Sequence, residues 1–139
     1  MFPSFQKQRR TVLMEEQKLR IMVIDDENIV GKRLKPALEK TGDIVETFEE
    51  GKTALSRFDE EPFDIVVTDI RMEKINGIEI LERILSKSSR TKVIIITGYA
   101  TVEVAREALS KGAFDFIAKP FKPDDLRAII ARASKELRS

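Results

Sequence analysis

From Leu19 onward the chain repeats one unit: a short apolar run, a loop, then a longer stretch whose apolar residues recur at spacings of three and four. The short runs are Arg20–Ile24, Ile44–Phe48, Ile65–Thr68, Val93–Thr97 and Phe114–Ala118. They are rich in Ile, Val and Phe, and three are almost continuously apolar, the pattern of parallel strands buried on both faces. Between and after them lie amphipathic helices. Leu126, Ile129, Ile130, Ala133 and Leu137 share one helix face. Pro123 suits the first turn of that helix, with Asp124 and Asp125 near its positive end. Ala54, Leu55 and Phe58 mark a second helix; Ile80, Leu81, Ile84 and Leu85 mark a third. Thr101 reads as the N-cap of a helix that runs to Lys111 and stops at Gly112. Asn28 to Gly42 is helical as well, with Pro36 in its interior, where a kink is expected.

Five strands alternating with five helices predict an α/β fold, an open, doubly wound parallel sheet with right-handed crossovers. Such sheets take ligands outside the carboxyl ends of their strands, at the switch in strand order. Residues 1–18 stand apart. They carry Lys7, Arg9 and Arg10 without strong periodicity and read as a tail or a short helical extension, with Met14 an alternative start. Residues 19–139 then make one domain.

Composition narrows the chemistry. A chain of 139 residues is long enough to bury a core without staples. It has neither Cys nor His, which removes disulfides, the usual zinc ligands and most nucleophile–base pairs. A cytoplasmic setting fits. The net charge of +1 supplies no global field for nucleic acid or anionic membrane, so no direct nucleic-acid or membrane partner is expected. The apolar runs are strand-sized, far short of the roughly 20 residues that span a bilayer, and the N-terminus lacks the apolar core of a secretory signal.

The strand ends carry the candidate chemistry. Strand one ends in Asp25-Asp26, strand three in Asp69, strand four in Thr97 and strand five in Lys119-Pro120. In a sheet of order 2-1-3-4-5, strands one and three are neighbours, and three carboxylates converge beside a hydroxyl and an ammonium. Two carboxylates about 4 Å apart repel by roughly 4 kcal/mol at an effective dielectric of 20. An Mg²⁺ ion held through oxygen relieves that repulsion. Lys119 and Thr97 can then meet phosphoryl oxygens while a carboxylate acts as nucleophile. Singly, each residue has an ordinary structural role: an acidic helix cap for Asp25-Asp26, a strand end for Asp69, Thr97 or Lys119. The specificity lies in all five sharing one rim.

The segments Val-Ile-Asp-Asp-Glu (23–27), Val-Val-Thr-Asp-Ile-Arg-Met (66–72), Ile-Ile-Ile-Thr-Gly-Tyr-Ala (94–100) and Phe-Ile-Ala-Lys-Pro-Phe (116–121) resemble the signature segments of response-regulator receiver domains of bacterial two-component systems. The resemblance covers about residues 19–138. It implies a flavodoxin-like (βα)5 three-layer sandwich of strand order 2-1-3-4-5, with Asp69 as phosphoacceptor. It implies Mg²⁺ held by Asp26 directly, by Asp25 largely through water, by Asp69 and by the backbone carbonyl of Arg71. Thr97 and Lys119 would contact the phosphoryl group, a cis bond before Pro120 would aim Lys119, and Phe116 would be the switch aromatic. A sensor histidine kinase, docking on the first helix, is the implied donor, and an output domain or protein the implied reader. Helix four, strand five and helix five form the surface implied for homodimerisation. Residues 96–121 look most like receivers of sigma54-dependent activators of the nitrogen-regulator type. The chain departs from the pattern at Glu73, where the family often has Pro. Arg71 and Tyr99 border the path of the hydrolytic water and are expected to tune phosphoryl lifetime.

Three other readings compete. A haloacid-dehalogenase-type phosphatase wants a second acid two residues after its nucleophile, and Arg71 stands there. A P-loop at Gly51-Lys52-Thr53 needs Gly where Glu46 lies, so this tripeptide reads as the start of the second helix. A phosphorylation-independent interaction module has no need of the intact quintet.

Overall fold

Val23 and Ile24 sit on opposite faces of one strand, and that alternation organises the molecule. Ile21 and Val23 join a core with Leu34, Leu38, Leu126 and Ile130. Met22 and Ile24 join another with Phe58, Phe63, Leu81 and Ile84. A strand presents successive side chains to opposite faces, so a sheet apolar on both faces needs a helical layer on each.

The computed structural model describes residues 18–72, 75–98 and 102–139. Its elements run β1 (Arg20–Ile24), α1 (Asn28–Glu39), β2 (Ile44–Phe48), α2 (Gly51–Glu60), β3 (Ile65–Asp69), α3 (Gly77–Lys87), β4 (Lys92–Thr97), α4 (Val102–Ser110), β5 (Asp115–Ala118) and α5 (Pro123–Leu137). The five strands form one parallel sheet of order β2-β1-β3-β4-β5. Helices α1 and α5 cover one face; α2, α3 and part of α4 cover the other. This is the three-layer fold the sequence predicts.

Burial follows position in the sheet. Every residue of the central strand β3 is buried, whereas the edge strands β2 and β5 are only partly covered. In α3, Ile80, Leu81 and Ile84 are fully buried, each stabilising the fold by roughly 1.5–3 kcal/mol. Asn76 caps this helix by accepting from the Glu79 amide. Asp125 accepts from the Lys122 amide at the start of α5, with Pro123 in the first turn. Gly112 adopts a φ of 103° after α4, the left-handed geometry that ends helices and favours glycine.

The boundaries differ from the sequence pattern in small ways. β3 extends through Asp69 because that residue still pairs with Ile96 of β4. β4 begins one residue earlier, at Lys92, in register with Ile65. β5 begins at Asp115, one residue late. Helix α1 continues past Pro36 to Glu39; the proline deprives the Lys32 carbonyl of an amide donor without ending the helix. Thr101, expected as a cap, lies outside the described residues, as do residues 1–17, Glu73 and Tyr99.

Candidate functional site

Strands β1 and β3 are paired with Ile24 opposite Thr68, so Asp25 and Asp69 leave the sheet side by side. Both carboxylates are buried, at 2% and 5% exposure. The loops hold them. Asp25 donates its amide to the Phe48 carbonyl and accepts from the Glu27 amide through Oδ1. Asp69 accepts from the Arg71 amide through Oδ1 at 3.0 Å. Gly77 packs against the Asp69 carbonyl so closely that a Cβ there would lie 2.4 Å from that oxygen.

Lys119 reaches this pair from β5. Its amide donates to the Thr97 carbonyl, and the Lys119–Pro120 bond is cis. The ammonium donates to Asp69 Oδ2 at 2.7 Å and to Glu27 Oε1 at 3.1 Å. Asp25 Oδ2 is 2.8 Å away but out of line for a hydrogen bond, so this buried oxygen has a charged neighbour and no donor. Burial pushes the Asp25 carboxyl above its usual range, against the opposing pull of Lys119. For Lys119, burial pulls the ammonium down, but contacts with Asp25, Asp69 and Glu27 outweigh it and the net shift is upward. The lysine therefore stays charged.

The donor set fits a hard divalent cation. Asp25, Glu27 and Asp69 each place one carboxylate oxygen within 4.8 Å of the other two. All three are oxygen ligands, as Mg²⁺ prefers, and one buried oxygen lacks a donor. Three carboxylates against one ammonium leave two negative charges, which a divalent ion cancels.

The sequence-predicted residues are thus distributed unevenly. Asp25, Asp69 and Lys119 come together. Asp26, expected as the more direct metal ligand, is exposed and stands outside the convergent triad. It lines a neighbouring cavity of about 300 Å³ with Glu49, Glu50 and Lys52. Thr97 is fully buried at the end of β4. Phe116 is half-buried, packed against the α2–α3 core, and the Arg71 side chain is exposed. Glu27 was not singled out by sequence reading. Its signal was the third consecutive acid, 25–27, but whether it points inward depends on the turn after β1. Beside Lys119 a groove of about 390 Å³ opens between α1 and the start of α5, lined by Ile29, Val30, Leu34, Phe121 and Pro123.

A five-stranded sheet of this order with acids and a lysine at its carboxyl rim defines a class, and comparison with known proteins agrees. The family model of the response regulator receiver domain matches residues 21–131, and the chain belongs to that family. It is a signalling module rather than a catalytic enzyme. The chain is 43% identical over 114 residues to the regulatory protein AtoC of Escherichia coli K12, a match covering 82% of this chain and 25% of AtoC. It therefore spans about a quarter of that relative. Other relatives include the DNA-binding transcriptional regulator NtrC of Salmonella typhimurium, 33% identical over 113 residues, covering 81% of this chain and 24% of NtrC. This agrees with the nitrogen-regulator resemblance. Among solved structures, a CheY-like receiver domain protein from Methanospirillum hungatei superposes with a TM-score of 0.83 at 30% identity, covering 87% of this chain and 97% of that one. The beryllofluoride-activated NtrC4 receiver domain dimer superposes at 0.81 with 31% identity, covering 85% and 98%. No helix among the described residues is long and apolar enough to cross a membrane.

Proposed function

We propose that this chain is the phosphoacceptor receiver of a two-component response regulator, residues 19–139, with residues 1–18 an extension outside the domain. Asp69 accepts a phosphoryl group from a phosphohistidine on a sensor histidine kinase. The observation that carries this reading is the Lys119 ammonium standing between the buried carboxylates of Asp25 and Asp69.

A carboxylate oxygen of Asp69 attacks phosphorus. The new O–P bond forms as the N–P bond to the donor imidazole breaks, and the imidazole leaves with the electron pair. The Arg71 amide holds the other Asp69 oxygen fixed, which orients the attack. Lys119 neutralises a developing phosphoryl oxygen and the Thr97 hydroxyl bonds another. Asp25, Asp26, Asp69 and the Arg71 carbonyl would hold Mg²⁺, with Glu27 within reach. When bound, the ion offsets the charge of the incoming phosphoryl group. The groove beside Lys119 offers the donor an apolar seat within reach of Asp69.

After transfer, Thr97 moves toward the phosphoryl oxygens and Phe116 turns into the space released. The surface of α4 and β5 changes, and an output domain or protein reads it. Phosphorylation favours the active state only by stabilising it more than the resting one. A homodimer through the α4–β5–α5 face is proposed; that a related receiver domain, NtrC4, is solved as a dimer supports dimerisation. Arg71 and Tyr99 tune the lifetime of the acyl phosphate. The setting is cytoplasmic, and the output is transcriptional, as the name of the relative NtrC suggests. The domain itself binds neither nucleic acid nor membrane.

The test is intact mass after incubation with Mg²⁺ and acetyl phosphate. A gain of one phosphoryl group, lost without Mg²⁺ and in Asp69→Asn, is expected. No gain under any condition would leave a phosphorylation-independent interaction module.

A further inference from the structure

We propose that Glu27 is a positioning residue that governs access of a divalent cation to the acidic pocket by holding Lys119 at the rim. The inference rests on the cation site proposed above. Lys119 stands against all three members of the triad: Asp69 Oδ2 at 2.7 Å, Asp25 Oδ2 at 2.8 Å and Glu27 Oε1 at 3.1 Å. The first two are the buried carboxylates a cation needs. In the cation-free protein the ammonium is therefore a resident competitor, drawing on the same oxygens.

The three contacts are not equivalent. Asp25 and Asp69 are almost wholly buried, while the Glu27 side chain is 62% exposed. Glu27 pulls from the solvent side, the buried pair from the inside. Asp25 Oδ2 accepts no hydrogen bond although the ammonium lies 2.8 Å away, so it is the buried oxygen with a lone pair to offer a cation. An entering cation that takes the free Asp25 oxygen must displace Lys119 from Asp25. Glu27 gives the displaced ammonium a partner without breaking its hydrogen bond to Asp69. Lys119 then stays beside the acceptor oxygen, where the phosphoryl group arrives.

A Glu27 that acted only as one more negative charge, or only as a direct ligand, would favour the cation whether or not Lys119 were present. The two roles separate in a double-mutant cycle. Mn²⁺ affinity, read by the loss of the free-ion paramagnetic resonance signal, is measured without phosphodonor for the wild type, Glu27→Gln, Lys119→Met and the double variant. Circular dichroism checks that each is folded; Glu27 is exposed, so its replacement should not disturb the core. Glu27→Gln should weaken Mn²⁺ binding about two- to fivefold, the scale of a partly exposed ion pair. In the Lys119→Met background the same change should have no effect. An equal loss in both backgrounds, or no loss in either, would overturn the inference while leaving the phosphoacceptor reading intact. Failure of the wild type to bind Mn²⁺ would overturn the cation site and this inference together.

Discussion

The Nζ of Lys119 lies 2.7 Å from Oδ2 of Asp69, fifty residues earlier in the chain. The contact joins the end of the central strand to the end of an edge strand across β4. Both residues are anchored through β4 by backbone: Ile70 donates to the Ile96 carbonyl, and Lys119 to the Thr97 carbonyl. The site is therefore as rigid as the sheet that carries it, and changes at its supports should be felt in the chemistry.

Gly77 is such a support. A Cβ there would stand 2.4 Å from the Asp69 carbonyl oxygen and 2.7 Å from the Ile70 Cα. Backbone cannot give way as a flexible side chain can. Gly77→Ala should destabilise the protein by about 1–3 kcal/mol in urea unfolding and slow phosphorylation by acetyl phosphate as Asp69 shifts. An alanine variant with wild-type stability and rate would show that α3 can move without disturbing Asp69.

Asp25 gives the cation-free protein a pH dependence with a defined sign. Burial raises its carboxyl above the ordinary 3.8, and contact with Lys119 only partly offsets this. A carboxyl whose native pKa is raised binds protons more readily when folded. Lowering the pH from neutrality through the native value should therefore stabilise the fold, and the gain ends near 3.8, where the unfolded chain also protonates. In EDTA, Asp25→Asn should be more stable than wild type at pH 7 and should lack this contribution to the slope. Thermal unfolding across pH 4–8 measures both. A less stable Asn variant at pH 7 would mean that the ion pair outweighs burial.

Thr97 tests the coupling between site and surface. It is fully buried at the end of β4, and Ile95, two residues back on the same face of the strand, is in register with Phe116. On the proposed scheme, Thr97→Ala should still be phosphorylated, within about tenfold of the wild-type rate, as expected when one of several stabilising contacts is lost. The amide shifts of α4, β5 and Phe116 that accompany phosphorylation should shrink. Undiminished shifts in that variant would separate Thr97 from the switch.

The sequence made the sheet legible because Ile65–Val67 of β3 and Val93–Ile96 of β4 are unbroken apolar runs, as strands buried on both faces require. It made Asp25, Asp69 and Lys119 legible because each directly follows or ends such a run, and parallel strands deliver their ends to one rim. Glu27 and Asp26 were harder. Strand periodicity ends at Ile24, and beyond it the direction of a side chain depends on the turn. Here the Glu27 amide bonds back to Asp25 Oδ1, while Asp26 faces the cavity at the start of α2. Pro36 lies inside the helix, as the sequence reads: a proline there has a local cost, but Leu34 and Leu38 on either side are buried against the sheet, and that packing carries α1 through it.

Among several neighbouring carboxylates, Asp69 is the one expected to take the phosphoryl group. Borohydride reduction of the protein phosphorylated by acetyl phosphate and Mg²⁺ converts an aspartyl phosphate to homoserine, and peptide mass spectrometry locates it. Homoserine is expected at position 69 and nowhere else. Homoserine at position 25 or 26, a reduced glutamyl residue at position 27, or a phosphorylated protein with no reducible acyl phosphate would contradict it.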